Sequence, residues 1–351
     1  MQYWDGQFDD ARLALALARS AASKGACVVN RVSVQHLLYE NGRVAGVRAQ
    51  DAEQGLAFDL KAACVINATG VWVDDLRLAD GHQQKQAMTR LVTPSQGVHL
   101  VVDASFWPGD KALLVPKTAD GRVLFAVPWL GKVLLGTTDT ARPDAPLEPR
   151  PASEEVDLIL KEAGRYLKKA PGRSDVLSAW AGLRPLVRAD SSSSDASGLT
   201  QKISREHHIE VSSAGLVTVT GGKWTTYRAM AADVMQTIRA QKLLSLTAED
   251  VTVNTLLWGA PEAGSLKEEP QRPLEANPAA AYSYGTDAQL LASLPGADRW
   301  LAPGLSEAMV RFAARYEYAR TTEDVLARRN RLLFLDAQAA MAAAPEVAEI
   351  L

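Results

Sequence analysis

The sequence predicts a mixed α/β protein in three parts: an incomplete α/β domain, a mostly antiparallel lobe, and a C-terminal helical region. Three observations carry this. A helix-spaced segment leads into β-rich runs that end in a small-residue turn, several strands joined by glycine turns follow, and two further β-runs then return to a helix through a glycine pair.

From Asp9 to Lys24, Leu13, Leu15, Leu17, Ala18 and Ala21 recur at broadly helical spacing, with Asp9 or Asp10 placed to cap the first N–H groups and Gly25 to end the helix. Residues 26–30 (ACVVN), 32–40 and 43–51 read as strands, the last two joined by an Asn41-Gly42 hairpin turn. Residues 57–67 add a strand or two and open into Ala68-Thr69-Gly70. This order is that of the second half of a mononucleotide-binding domain, although the 351 residues contain no GxGxxG. Strands at 113–116, 122–130 and 132–139, turns at Asp120-Gly121 and Gly131, and a helix at 153–169 form the antiparallel lobe. Residues 262–278 read as a connector, and 286–348 as a small helical region.

Composition narrows the function. A chain of 351 residues with 47% hydrophobic and 23% charged residues is no disordered tail, fibrous repeat or disulfide-stapled miniprotein. The formal charge of −3 supplies no general field for nucleic acid. Any anion must be caught by local geometry. Cys27 and Cys64 read as two buried thiols, and the eight tryptophans as core. Asp5, Asp9 and Asp10 lie where a signal peptide would be basic, and no apolar run of about 18 residues marks a membrane span, so the reading is cytoplasmic with peripheral attachment left open.

The sharpest local feature is the buried run at 216–220 that ends in Gly221-Gly222-Lys223 before a helix near Thr225. Glycines permit close backbone approach, and the helix terminus adds about half a positive charge, so the turn suits an anion or a polarised carbonyl. Thr225 and Thr226 are candidate caps. A plain tight turn with a solvent-facing lysine is the alternative. Arg184 and Arg205 flank a Ser/Asp/Gly-rich loop; Pro185 restricts Arg184 to extended backbone, and the guanidinium fork suits phosphate or carboxylate. Arg188, near Asp190, reads as an ordinary salt bridge. His99 lies in a strand-like run and is either structural or a group that hydrogen-bonds a substrate oxygen. His207 and His208 alternate across a strand, and with no HExxH, EF-hand or Cys/His cluster no metal is expected. The arginines from Arg315 to Arg331 read as solvated or salt-bridged.

Taken together, YWDGQFDDARL at 3–13, VINATGVWVDDL at 65–76, SQGVHLVVD at 95–103, VLLGTTDT at 133–140, AGLRPLV at 181–187, SREHHIEV at 204–211, GGKWTTYR at 221–228 and TEDVLARRNRLLFLD at 322–336 resemble the flavin-dependent, respiratory glycerol-3-phosphate dehydrogenase family. The resemblance implies a partial FAD-binding Rossmann-like domain (1–84 with 205–245), a mostly antiparallel substrate-binding lobe (85–204), and a C-terminal linker and helical domain (246–351). It implies FAD as cofactor, with Ala68, Thr69, Gly70, Gly221, Gly222 and Lys223 near it. His99, Arg184 and Lys223 match catalytic positions, and Arg205 with Lys223 matches the phosphate-binding groups. The implied reaction oxidises sn-glycerol 3-phosphate to dihydroxyacetone phosphate and passes electrons to a membrane quinone, often in a homodimer. The family begins with a glycine-rich βαβ unit, so the expectation is a truncated homologue whose independent activity is doubtful. A noncatalytic fragment and an oxygen-using oxidase are the alternatives. Gln96, where the family often has a basic residue, and Trp224, where it has a smaller aliphatic one, depart from the pattern.

Overall fold

The computed structural model describes residues 2–118, 121–188, 206–245, 247–261 and 283–351. The predicted connector at 262–278, together with Asp120, Asp190 and Arg205, lies outside them.

Helix α1 (Asp10–Ser23) starts as its sequence dictates: the Asp9 carboxylate accepts the N–H groups of Ala11 and Arg12, and Gly25 leaves the helix at φ +92°. Residues 26–30 are not the strand predicted. The run pairs with nothing among the described residues and Val29 is 61% exposed; β-branched propensity makes a strand only beside a backbone that completes the ladder. Cys27 within it is exposed, not buried, and Cys64 is half-buried. Strands β1 (Val32–Glu40) and β2 (Arg43–Asp51) form the predicted hairpin, with Asn41 at φ +52° and Gly42 at φ +75°, and β3 (Ala57–Lys61) adds antiparallel to β2.

Strand β4 (Ile66–Asn67) opens into a 3-10 turn over Gly70–Trp72 and helix α2 (Val73–Gln83). The lobe that follows holds β5 (Val92–Asp103), β6 (Leu113–Val115), β7 (Leu124–Trp129), β8 (Lys132–Gly136), β9 (Thr140–Ala141), α3 (Ser153–Ala163) and β10 (Val176–Val187). Its sheet runs β10-β5-β8-β7-β6, with β9 also on β5, and every pairing is antiparallel. Helix α3 stops at Ala163, short of the predicted 169, where Gly164 caps it. The chain returns through β11 (His207–Val211) and β12 (Val217–Gly221) to α4 (Tyr227–Ala240). In this third sheet, of order β11-β12-β4, β12 runs antiparallel to β11 and parallel to β4. The α/β class is as predicted.

The C-terminal region packs helices Glu307–Tyr316 and Ala337–Ile350 around Phe312, Val310, Leu305 and Val347, with a π-helical stretch over Asp324–Arg329. Its arginines are largely ion-paired: Arg320 with Glu53, Arg328 with Glu148 and Glu323, and Arg331 with Asp9 and Asp10. Several tryptophans, Trp4, Trp258 and Trp300 among them, are exposed rather than core.

Helix α1 docks on this region through charge. Arg12 Nη1 lies 2.7 Å from Glu317, whose side chain is fully buried, and Arg12 Nε donates to the Ser283 carbonyl. Burial outweighs the pull of Arg12 and pushes the Glu317 carboxyl up. Removing one partner strands the other charge in the interior. Glu317→Ala is therefore expected to destabilise the chain by about 3 kcal/mol or more, read as a lowered urea midpoint.

Candidate active site on the open face of the sheet

Alternation along the strands sorts the large sheet into two faces. Val98, Leu100 and Val102 of β5, Val133 and Leu135 of β8 and Ala126 of β7 turn toward Ile159, Leu160 and Ala163 of α3 and form the core. The other face is set by register: Trp180, His99, Gly136 and Phe125 lie in one row across four strands, Gly182 pairs with Gly97 in the next, and Arg184 pairs with Ser95 beyond. Glycines thus flatten the face beside its two functional candidates.

That flatness is what lets His99 and Arg184 lie over the sheet. A Cβ added at Gly97 would fall 2.3 Å from Arg184 Nη2, and one at Gly136 would fall 2.4 Å from His99 Cδ2. The guanidinium reaches from β10 across β5 to the segment after β8. There Nη1 donates to the Thr138 carbonyl (3.2 Å), Nη2 donates to Thr137 Oγ1 (3.0 Å), and Asp139 lies 3.9 Å from Nη1. The His99 ring stacks on Trp180 at 5.7 Å, and Trp180 meets Phe334 of the C-terminal region edge-on at 4.7 Å. Burial, reinforced by the Arg184 charge, pushes the His99 imidazole down to about 4, so it is neutral at physiological pH.

The glycine turns form a second group. Asn67, buried at the end of β4, donates to the Val73 carbonyl and accepts from the Thr69 hydroxyl, which fixes the Ala68-Thr69-Gly70 turn. Parallel pairing of β4 with β12 brings this turn beside Gly221-Gly222, and Thr220 Oγ1 donates to the Gly70 carbonyl at 3.2 Å. Gly70, Gly221 and Gly222 all have positive φ, at +63°, +76° and +72°. Side chains there would strain the backbone, and at Gly222 a Cβ would also meet Met230 Sδ at 2.6 Å. Lys223 is exposed at the start of the Trp224–Thr226 turn. The threonines do not cap α4 as predicted: Thr226 Oγ1 turns back to donate to the Lys223 carbonyl. A Cβ on Gly221 would meet the Val187 side chain at 2.7 Å, so the end of β10 that carries Arg184 abuts this turn. Between the 69–72 turn, β10, the 146–151 loop and residues 323–337 lies a cleft of about 630 Å³.

The structure thus gathers His99 with Arg184, and Ala68, Thr69 and Gly70 with Gly221 and Gly222. Arg205 lies outside the described residues. Arg188 bonds Thr93 Oγ1. Gln96, the position that departs from the family pattern, points to the other face, where its amide donates to Glu155 and accepts from Arg142. The reading of residues missed Gly97, Thr137, Thr138 and Trp180. Nothing local marks them, because only strand register shows which residues share a face. Among the described residues no group of His, Cys, Asp or Glu could hold a metal ion.

A sheet whose glycine-lined turns lie at the ends of parallel strands, beside an antiparallel lobe with an open face, defines a cofactor-dependent two-lobed α/β enzyme fold. The chain belongs to the FAD dependent oxidoreductase family, which residues 1–228 match, while residues 250–351 match the C-terminal domain of alpha-glycerophosphate oxidase. Mitochondrial glycerol-3-phosphate dehydrogenases of rat and human are 38% and 39% identical to it over 374 residues, covering 99% of this chain and 50% of theirs. The Schizosaccharomyces pombe protein of the same name is 34% identical over 99% of this chain and 61% of its own. The chain therefore spans about half the length of the mammalian relatives. The glycerol-3-phosphate dehydrogenase of Bacillus halodurans complexed with FAD superposes with a TM-score of 0.77 at 28% identity, covering 98% of this chain and 69% of that one.

At Gly70, where an added Cβ would meet nothing within 4 Å, the backbone of the 68–70 turn is open to close approach by a flat group such as part of FAD. A pyrophosphate loop of the GxGxxG type is not part of this sequence.

Two outcomes follow from the geometry. Gly97→Ala is expected to leave stability within about 1 kcal/mol, because the clash is with the far end of a side chain and not with backbone, while the Arg184 Nε–H resonance shifts in ¹⁵N spectra. His99, neutral when folded but protonated below about pH 6.5 when unfolded, makes stability fall between that pH and about 4. His99→Gln flattens this loss, measured as urea midpoints across the same range.

Proposed function

We propose that this chain carries the flavin-edge and substrate side of an FAD-dependent dehydrogenase that oxidises sn-glycerol 3-phosphate to dihydroxyacetone phosphate. One observation carries the reading: a guanidinium and a neutral imidazole lie together on an open, glycine-flattened sheet face that ends beside the Gly221 turn. Alcohol oxidation at C2 needs a hydride acceptor, a sink for the hydroxyl proton and a grip on the remote phosphate, and FAD when bound supplies the first.

The chain's own residues supply the rest. Arg184 is fixed by the 137–138 segment and always charged, so it stabilises negative charge at the substrate oxygen and does not act as a base. The neutral His99 imidazole can accept the hydroxyl proton at a ring nitrogen. Lys223, exposed at the glycine turn, contributes positive charge toward the phosphate and toward the reacting end of the site, and Arg205 joins it in phosphate capture. Ala68, Thr69, Gly70, Gly221 and Gly222 provide backbone against the flavin.

A membrane quinone is the proposed electron acceptor, reached peripherally from the cytoplasmic side and in a homodimer. No helix among the described residues is long and apolar enough to cross a membrane. The match of residues 250–351 to an alpha-glycerophosphate oxidase domain favours oxygen as the second reading of the acceptor.

Anaerobic addition of glycerol 3-phosphate to the FAD-loaded chain is expected to bleach the oxidised flavin band; stoichiometric FAD without bleaching would overturn the reaction, and no FAD uptake would favour a noncatalytic role. Reduction of a quinone analogue against peroxide release then separates the acceptors. Arg184→Ala is expected to lower kcat/KM by roughly 100-fold or more, and Lys223→Ala to raise KM and slow flavin reduction together.

A further inference from the structure

The segment that aims Arg184, residues 137–139, lies between β8 and β9 and belongs to no strand. What fixes it is on the far side of the sheet. Glu155, in the first turn of α3 and 7% exposed, accepts four hydrogen bonds through its two carboxylate oxygens. Oε1 takes the hydroxyls of Thr138 and Thr140, each at 2.9 Å, and Oε2 takes Gln96 Nε2 at 2.6 Å and the Ala152 N–H at 3.0 Å. Thr138 Oγ1 in turn accepts the Val98 N–H at 3.0 Å, while the Thr138 carbonyl accepts Arg184 Nη1. A single residue therefore joins the buried carboxylate to the guanidinium.

We propose that Glu155 is a positioning residue for the substrate-oxygen site: it clamps Thr138 and Thr140 so that Thr137 and Thr138 hold the Arg184 guanidinium flat over Gly97. The inference rests on the glycerol 3-phosphate reading given above and deepens it. Helix capping alone requires only the Ala152 bond, so the two threonine hydroxyls and the Gln96 amide are the part that capping leaves unexplained. A fully satisfied buried network of this kind rigidifies what it holds.

The test uses the full chain with FAD added, and compares Glu155→Leu, Thr138→Val and Thr138→Ser with the wild type. Two measurements are made: the Arg184 Nε–H resonance without ligand, assigned by its absence in Arg184→Lys, and calorimetric affinity for glycerol 3-phosphate. Glu155→Leu and Thr138→Val are expected to shift or broaden the Arg184 resonance and to weaken binding about tenfold, the scale of one charge-assisted hydrogen bond. Thr138→Ser, which keeps the hydroxyl, is expected to restore both. Should Glu155→Leu not fold, the Thr138 pair decides, since valine removes the hydroxyl that bonds Glu155 and serine keeps it. An unmoved resonance with affinity within twofold of wild type in Thr138→Val would overturn the role of Glu155. A wild-type chain that binds no glycerol 3-phosphate would overturn the substrate reading instead, and the resonance alone would then judge Glu155.

Discussion

The site depends on one steric constraint: a guanidinium and an imidazole lie over a β-sheet at residues that have no side chains. An antiparallel sheet normally presents a carpet of Cβ atoms about 5 Å apart, over which a long side chain must stand or fold away. Gly97 and Gly136 remove that carpet at two places, and Gly182 leaves a third opening where an added Cβ would meet nothing within 4 Å. The opposite face is filled by Val98, Leu100, Leu135 and the apolar side of α3. One strand thus packs the core with alternate residues and carries the proposed site on the others.

Much of the fold was legible in the sequence, because helix caps, a hairpin turn and alternating apolar runs are local signals. Asp9, Asn41-Gly42 and Gly25 behave as their chemistry requires. Residues 26–30 misled because β-propensity says nothing of whether a partner strand lies alongside, and Cys27 went with them. The site was legible in part. His99 and Arg184 stand out by residue type, but their shared face follows only from the pairing of Trp180 with His99 and of Arg184 with Ser95, residues more than 80 positions apart. Thr138 and Glu155 gave no sign at all, since a threonine after a strand and a glutamate in a helix's first turn are ordinary locally.

The parts of the chain are tied together by polar contacts at their junctions. Helix α1 reaches the C-terminal region through Arg12 and Glu317, and through Arg19, which pairs with Asp287 at 2.6 Å and lies over the Trp258 ring. The C-terminal region in turn places Phe334 against Trp180, one ring removed from His99. The Thr220 hydroxyl binds the two glycine turns, which come from segments about 150 residues apart, into one structure. For the buried Arg12–Glu317 pair, the cost of desolvating both charges offsets much of their attraction.

A face shaped by missing atoms has a particular failure mode. Damage to a packed core unfolds a protein and exposes it to proteolysis, whereas a methyl group introduced at position 97 or 136 would push aside Arg184 or His99 and leave the core intact. If Arg184 and His99 have the roles proposed for them, lesions here would accumulate as sound but idle molecules that cellular quality control has no means of recognising.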